Sequence, residues 1–236
     1  MNGSGFHLGS IRGTSIRVEI SFVILLAFFV LFSLQSGTPV PVALLWIPVV
    51  VVSVLLHELG HAAVIGTLGF GSSEISLAGM GGFTQNRRSS RPWQEILISL
   101  AGPITSFVLA GICLLLETST GIAASDPMLK ELLPLLRRAN ISWGILNLVP
   151  IHPLDGGQAL RNLARLVFSE RRSLLVSVWL SMLLGVPLVL GSLYMGLIFL
   201  AVIAGFLTAR NYQEWKIIRS QLPGDSTPPP ETPSDL

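Results

Sequence analysis

Five residues, His57-Glu58-Leu59-Gly60-His61, close an apolar run that begins at Val40. They constrain the fold more than any other stretch, because ionisable groups inside such a run are costly and must face something other than lipid. In a helix, residues four apart project from the same face, one turn from each other. Two imidazoles so placed, with a glutamate beside the first, form the arrangement in which both His ligate zinc and the Glu is the general base. The alternative is an amphipathic helix end with solvated polar side chains, and the apolar surroundings argue against it.

Composition sets the environment. Half of the 236 residues are hydrophobic and only 12% are charged, against about 25% charged in soluble domains. Mean hydropathy is +0.68. This is the composition of a polytopic membrane protein. The fold class it implies is all-α, with about six transmembrane helices and a Gly-rich β-hairpin or re-entrant loop. The net charge of +2 is small, and the basic residues sit in short segments between apolar runs. That pattern suits membrane topology and speaks against nucleic-acid binding. The single cysteine, Cys113, excludes an intramolecular disulfide and a cysteine zinc site, and reads as a small buried apolar residue.

Along the chain, residues 1–19 are polar and Gly-rich, with a strand-like alternation over Ile16–Ile20. The predicted spans are Ile20–Leu34, Val42–Gly66 carrying the His-Glu motif, Glu95–Leu116 and Leu135–Val149. Leu174–Ala209 then holds two short spans with a turn near Val186–Ser192, or one span plus a re-entrant piece. Residues 69–92 are dense in glycine (Gly69, Gly71, Gly79, Gly81, Gly82). They read as a hairpin or re-entrant loop lining a protein cavity, whose open edge would take an extended peptide, or as a solvated loop. Residues 117–134 read as a polar connector. The domain division is 1–210 for the membrane domain and 211–236 for a short amphipathic segment with a disordered Pro-rich tail.

Zinc requires a third protein ligand, and a carboxylate is suitable. Asp155 lies at the end of the fourth predicted span, between Pro150 and Pro153 on one side and Gly156-Gly157 on the other. Prolines end the helix and glycines permit an unusual path, so this carboxylate is held on an irregular, rigid segment. The competing reading is a helix-terminating Asp-Gly turn. With six spans, 12 of the 15 Lys and Arg fall on the side that holds both termini, which makes that side cytoplasmic. The motif end of span two and the Asp155 end of span four reach the same face, although 94 positions separate His61 from Asp155.

The chain resembles the site-2 protease family of intramembrane zinc metalloproteases. The resemblance rests on His57-Glu58-x-x-His61, Gly81-Gly82, Ala101-Gly102-Pro103 and Asn147-x-x-Pro150-x-x-Pro153-Leu154-Asp155-Gly156-Gly157, in that order over residues 10–210. It implies that His57, His61 and Asp155 bind one zinc ion and that Glu58 activates water. It also implies cleavage in or near a transmembrane segment of a single-pass membrane protein; the membrane reads as the cell (plasma) membrane, with an organelle membrane as the alternative. Asn140 sits on the helical face of Asn147 and would touch substrate or the developing oxyanion, or else make an interhelical hydrogen bond. Gly81 and Gly82 would contact the substrate. The segment after residue 210 is too short for a nucleotide-sensing CBS pair, and no PDZ-sized insertion interrupts the core. His152, three residues before Asp155, reads as a non-ligand. Two other classes stay open: a silent scaffold that binds membrane helices, and a metal transporter. Homo-oligomerisation is open too.

Overall fold

The computed structural model describes residues 5–11, 13–79, 81–86, 90–119 and 126–220. It is mostly helical. The helices are α1 (Ile20–Gln35), α2 (Val40–Leu44), α3 (Trp46–Thr67), α4 (Pro92–Ser119), α5 (Pro127–Leu148), α6 (Asp155–Ala164), α7 (Glu170–Tyr194) and α8 (Ile198–Ser220). Among the described residues, three stretches are long and apolar enough to cross a membrane: Val40–Thr67, Pro92–Ser119 and Glu170–Tyr194. Helix α1 is equally apolar but only 16 residues long.

An all-α description omits a four-stranded sheet, β1 (Gly5–Ile11), β2 (Thr14–Glu19), β3 (Ser73–Ala78) and β4 (Gly81–Asn86), in that spatial order. The outer pairs are antiparallel and β2 runs parallel to β3. A parallel pair needs a long crossover, and helices α1 to α3 supply it. The strand-like alternation at residues 16–20 falls mostly in β2. Ile16 of β2 and Ile75 and Leu77 of β3 pack with Phe22 and Leu25 of α1 and Val50, Val54 and Ala62 of α3. The sheet is thereby fixed to the flank of the helix that carries His57 and His61.

Two further expectations need correction. The connector predicted over 117–134 is mostly helix, because α4 runs on to Ser119 and α5 begins at Pro127. Asp126 caps α5, accepting from the N–H groups of Met128 (2.7 Å) and Leu129 (3.2 Å), and Pro127 sits where its missing N–H costs nothing. Glu117, Asp126, Lys130 and Glu131, which suggested a loop, lie in or beside the ends of these helices, and residues 120–125 lie outside the described residues. One of them, Glu117, instead pairs with Arg137 of α5 at 3.0 Å.

The turn expected near Val186–Ser192 lies at 195–197, since α7 continues through Pro187 and Gly191. A proline removes one backbone bond, which a packed membrane helix tolerates. The reversal belongs to Gly196, whose φ of +72° is left-handed. Residues 221–236, including most of the expected disordered tail, lie outside the described residues.

Gly196→Ala is expected to lower stability by about 1–2 kcal/mol, the penalty of a Cβ in a left-handed conformation. Gly191→Ala, in open space inside α7, should raise it by about 0.5–1 kcal/mol. Unfolding in mixed micelles, followed by circular dichroism, distinguishes the two.

Candidate metal centre

Helix α3 meets α4 at close range because both are small at the crossing. A Cβ added at Gly60 would lie 2.8 Å from the Ala101 carbonyl oxygen and 2.3 Å from Thr105 Oγ1. This contact sets the two histidines against one stripe of α4, residues 98, 102 and 106. His57 Nδ1 lies 3.0 Å from Ser106 Oγ, and His61 Nδ1 donates to the Ile98 carbonyl at 2.6 Å. Both Nε2 atoms are therefore turned the same way. They meet Asp155, whose Oδ2 lies 3.0 Å from His57 Nε2 and 3.4 Å from His61 Nε2. All three side chains are buried.

The donor atoms of His57, His61 and Asp155 lie within 4.8 Å of one another. Two imidazoles and one carboxylate fit zinc and leave it a fourth position. Each imidazole has its other nitrogen engaged, which holds the ring's orientation as zinc sites require, and the Ile98 carbonyl also fixes the proton of His61 on Nδ1. Gly102 completes the cradle: a Cβ there would sit 2.3 Å from His61 Nε2 and 2.5 Å from His57 Nε2.

Glu58, one residue along, points to the sheet. Thr84 Oγ1 of β4 donates to Glu58 Oε2 at 2.8 Å. Gly82 passes so close that a Cβ would lie 2.4 Å from Glu58 Cγ. Gly81, with φ +114°, has the same tight fit against Trp143 of α5. A cavity of about 880 Å³ opens over the site, lined by the three donors, Glu58, the Gly81–Thr84 stretch and Asn147. The ion pair of Arg17 and Glu74 (3.5 Å) also borders it.

Asn140 is not brought to this cavity. It is fully buried between helices, and its Nδ2 donates to Ser53 Oγ (2.9 Å) and the Leu136 carbonyl (2.8 Å). Of its two expected roles, the interhelical hydrogen bond is the one present, and Asn147 is the asparagine that lines the cavity. His152 also turns away from the donors: its Nε2 lies 3.8 Å from Glu214 of α8. Burial pushes the His152 imidazole pKa below its usual value, against the pull of that carboxylate.

The backbone of His152 carries the structural role. Its N–H donates to Ser181 Oγ of α7 at 2.8 Å, and its carbonyl accepts from Asn211 Nδ2 of α8 at 2.5 Å. Gly156 and Gly157 lie in the first turn of α6 and are needed for room rather than for unusual torsions. A Cβ on Gly156 would come 2.1 Å from the Leu148 carbonyl oxygen, and one on Gly157 would come 2.5 Å from the His152 nitrogen.

Sequence reasoning missed Thr84, Ser106, Ile98 and the cradle role of Gly102. The four-residue spacing of 98, 102 and 106 was the available signal for three of them, since it marks one helical face. Thr84 had none, because strand pairing alone puts it beside Glu58.

Residues 45–132 match peptidase family M50. A zinc metalloprotease from Methanocaldococcus jannaschii is 31% identical over 197 residues, covering 84% of this chain and 55% of its own length. The solved structure of a site-2 protease from the same organism superposes with a TM-score of 0.66 at 26% identity, covering 89% of this chain and 94% of that one. The chain is similar to the site-2 protease family. A relative from Synechocystis sp. is 28% identical over 235 residues, covering 89% of this chain and 61% of its own length. The chain thus spans between half and two thirds of the length of these two curated relatives. Family and apolar helices together make it a membrane protein.

Gly102→Ala is expected to abolish zinc retention, because the new methyl overlaps both Nε2 atoms. Ser106→Ala should weaken zinc affinity by about 10–100-fold through loss of the His57 orienting bond. Metal content after dialysis against a competing chelator measures both.

Proposed function

We propose that the chain is a zinc-dependent intramembrane endopeptidase, hydrolysing a peptide bond in or near a transmembrane segment of another membrane protein. The observation that carries this reading is the convergence of His57, His61, Asp155 and Glu58 on one cavity, from helices otherwise surrounded by apolar residues. In this reading His57, His61 and Asp155 hold the metal. Zinc, when bound there, would polarise the scissile carbonyl and make water more acidic.

The remaining steps fall to the chain's own groups. Thr84 holds Oε2 of Glu58, which orients the carboxylate to take a proton from the attacking water and deliver it to the leaving amine. Asn147 borders the cavity and replaces Asn140 as the side chain nearest to substrate or oxyanion. A helical substrate must unwind before its carbonyl is available. Strand β4 ends the described sheet and lines the cavity through Gly81 and Gly82, so its outer edge suits pairing with the unwound stretch. A side chain at residue 82 would displace Glu58.

Helices α1, α3, α4, α5, α7 and α8 serve as the six spans in this reading. The clustering of Lys and Arg puts both ends of the described chain, and the catalytic centre, toward the cytoplasmic face. A single-pass protein of the same membrane is the substrate class.

Glu58→Gln is expected to keep its zinc and lose peptide cleavage by at least 10²-fold. Cleavage of single-span candidates in liposomes tests this, and cleavage retained by the purified variant would rule the mechanism out. Chelation should abolish activity and added zinc restore it in the native chain only. Thr84→Val should lower kcat about tenfold without changing zinc content, by freeing the Glu58 carboxylate.

A further inference from the structure

The cavity over the metal centre reaches both faces of strand β4. Gly82 and Thr84 line it from one face and Phe83 from the other. The pairing register separates them. Thr84 stands opposite Ile75, which packs on the helices, and Phe83 stands opposite Ser76, which belongs to the other face. A cavity present on both faces of a strand also takes in its edge, and β4 is the last strand of the described sheet.

The flanking residues set the level of the reaction along that edge. Thr84 Oγ1 lies 2.8 Å from Oε2 of Glu58, and a Cβ on Gly82 would lie 2.5 Å from its Oε1. Phe83 is thus level with the carboxylate that activates water in the proposed reaction. A peptide paired with this edge places one residue opposite Phe83, with its side chain on the same face as the ring. Its two neighbours project to the other face, toward Glu58 and the metal donors. In either strand direction, the residue opposite Phe83 adjoins the scissile bond.

What borders the ring decides which side chain it accepts. Phe83 is 43% exposed, although it is aromatic and lines a cavity. The charged groups nearby are engaged: Arg17 pairs with Glu74 at 3.5 Å, and Ser21 Oγ donates to Glu19 at 3.3 Å. Ser76, across the strand pair, is buried. The ring is therefore the large apolar surface that this face of the sheet offers to a paired peptide.

We infer, on the peptidase reading of the chain, that Phe83 is a specificity-determining residue and selects a large apolar side chain beside the scissile bond. An aliphatic or aromatic residue there covers the ring, as apolar cross-strand pairs do within sheets. An amide or a carboxylate in its place gives up water without gaining a partner.

The test uses the full chain carrying Glu58→Gln, zinc-loaded in detergent micelles, so that binding is read without cleavage. The probe is a fluorescent oligoleucine span interrupted by Gly-Gly-X-Gly-Gly, in which X is Leu, Asn or Lys. The glycines keep this stretch unwound, and X is the only side chain in it. Fluorescence anisotropy should show the Leu guest bound about tenfold more tightly than the Asn guest. Adding Phe83→Leu should keep that order. Adding Phe83→Glu should reverse it, with the Lys guest bound most tightly and zinc content unchanged. The inference is overturned if the three guests bind alike or none binds, or if the order survives Phe83→Glu. The native chain separates this result from the wider reading. Guests that bind in this order but are never cut leave the role of Phe83 standing and overturn the peptidase reading; guests cut with equal kcat/KM overturn the role of Phe83 alone.

Discussion

The structure depends on one interaction: a carboxylate set between two imidazoles in a chain that is otherwise apolar. Three ionisable side chains cannot be buried without partners, since each unpaired one costs several kcal/mol. Here His57 and His61 each use one nitrogen on α4 and turn the other to Asp155. Every close approach nearby follows from that need. Gly60 lets α4 come near enough to hold the rings, Gly102 leaves room for both Nε2 atoms, and Gly156 and Gly157 let the loop before α6 fold back on the end of α5. A larger residue at any of these positions would separate the donors before it disturbed the fold elsewhere.

The sheet is the second half of the same arrangement. Its open edges are not tolerated facing lipid, and it is held by packing on α1 and α3. Its placement puts Thr84 against Glu58 from the side opposite α4. The donors and the carboxylate beside them are thus supported by different layers, helix on one side and strand on the other. That separation lets one α3 turn present two side chains to the donor cluster and a third to the cavity wall. It also explains why β4 carries glycines: the strand runs within van der Waals contact of Glu58 and Trp143.

How much of this was legible in the sequence depended on the range of the signal. His57, Glu58 and His61 were readable because a helix fixes their relation within one turn. Asp155 was readable because prolines and glycines around it marked a constrained stretch at the end of a span that reaches the same face as the histidines. The partners of these groups were not readable. Ser106 bonds His57 across 49 positions and Thr84 bonds Glu58 across 26, and no local pattern encodes such a pairing. Asn140 stands between two roles in the sequence for a related reason. Helical spacing says that it shares a face with Asn147, but not that Ser53 stands opposite and takes its amide. The boundaries of α5 and α7 were misjudged because polar residues at helix ends resemble loops, and because Pro187 was weighed as a breaker although α8 packs alongside.

Helices α7 and α8 contribute no donor, yet they bear on the site through the backbone of His152. Ser181 accepts its N–H and Asn211 donates to its carbonyl, which leaves this peptide fixed at both ends three residues before Asp155. A carboxylate at the first residue of a helix would otherwise drift with the loop before it by more than the tolerance of a metal site, about half an ångström. The hairpin of α7 and α8 is in turn joined through a single three-residue turn at 195–197 and is broadly exposed on its outer face. Whatever settles that outer face bears on the inner face of the same two helices, where Ser181 and Asn211 precede Met182 and Tyr212 by one position. The position of Asp155 is therefore tied to how well the peripheral hairpin is packed, and the donor set is as much a product of the outermost helices as of the two that supply its ligands.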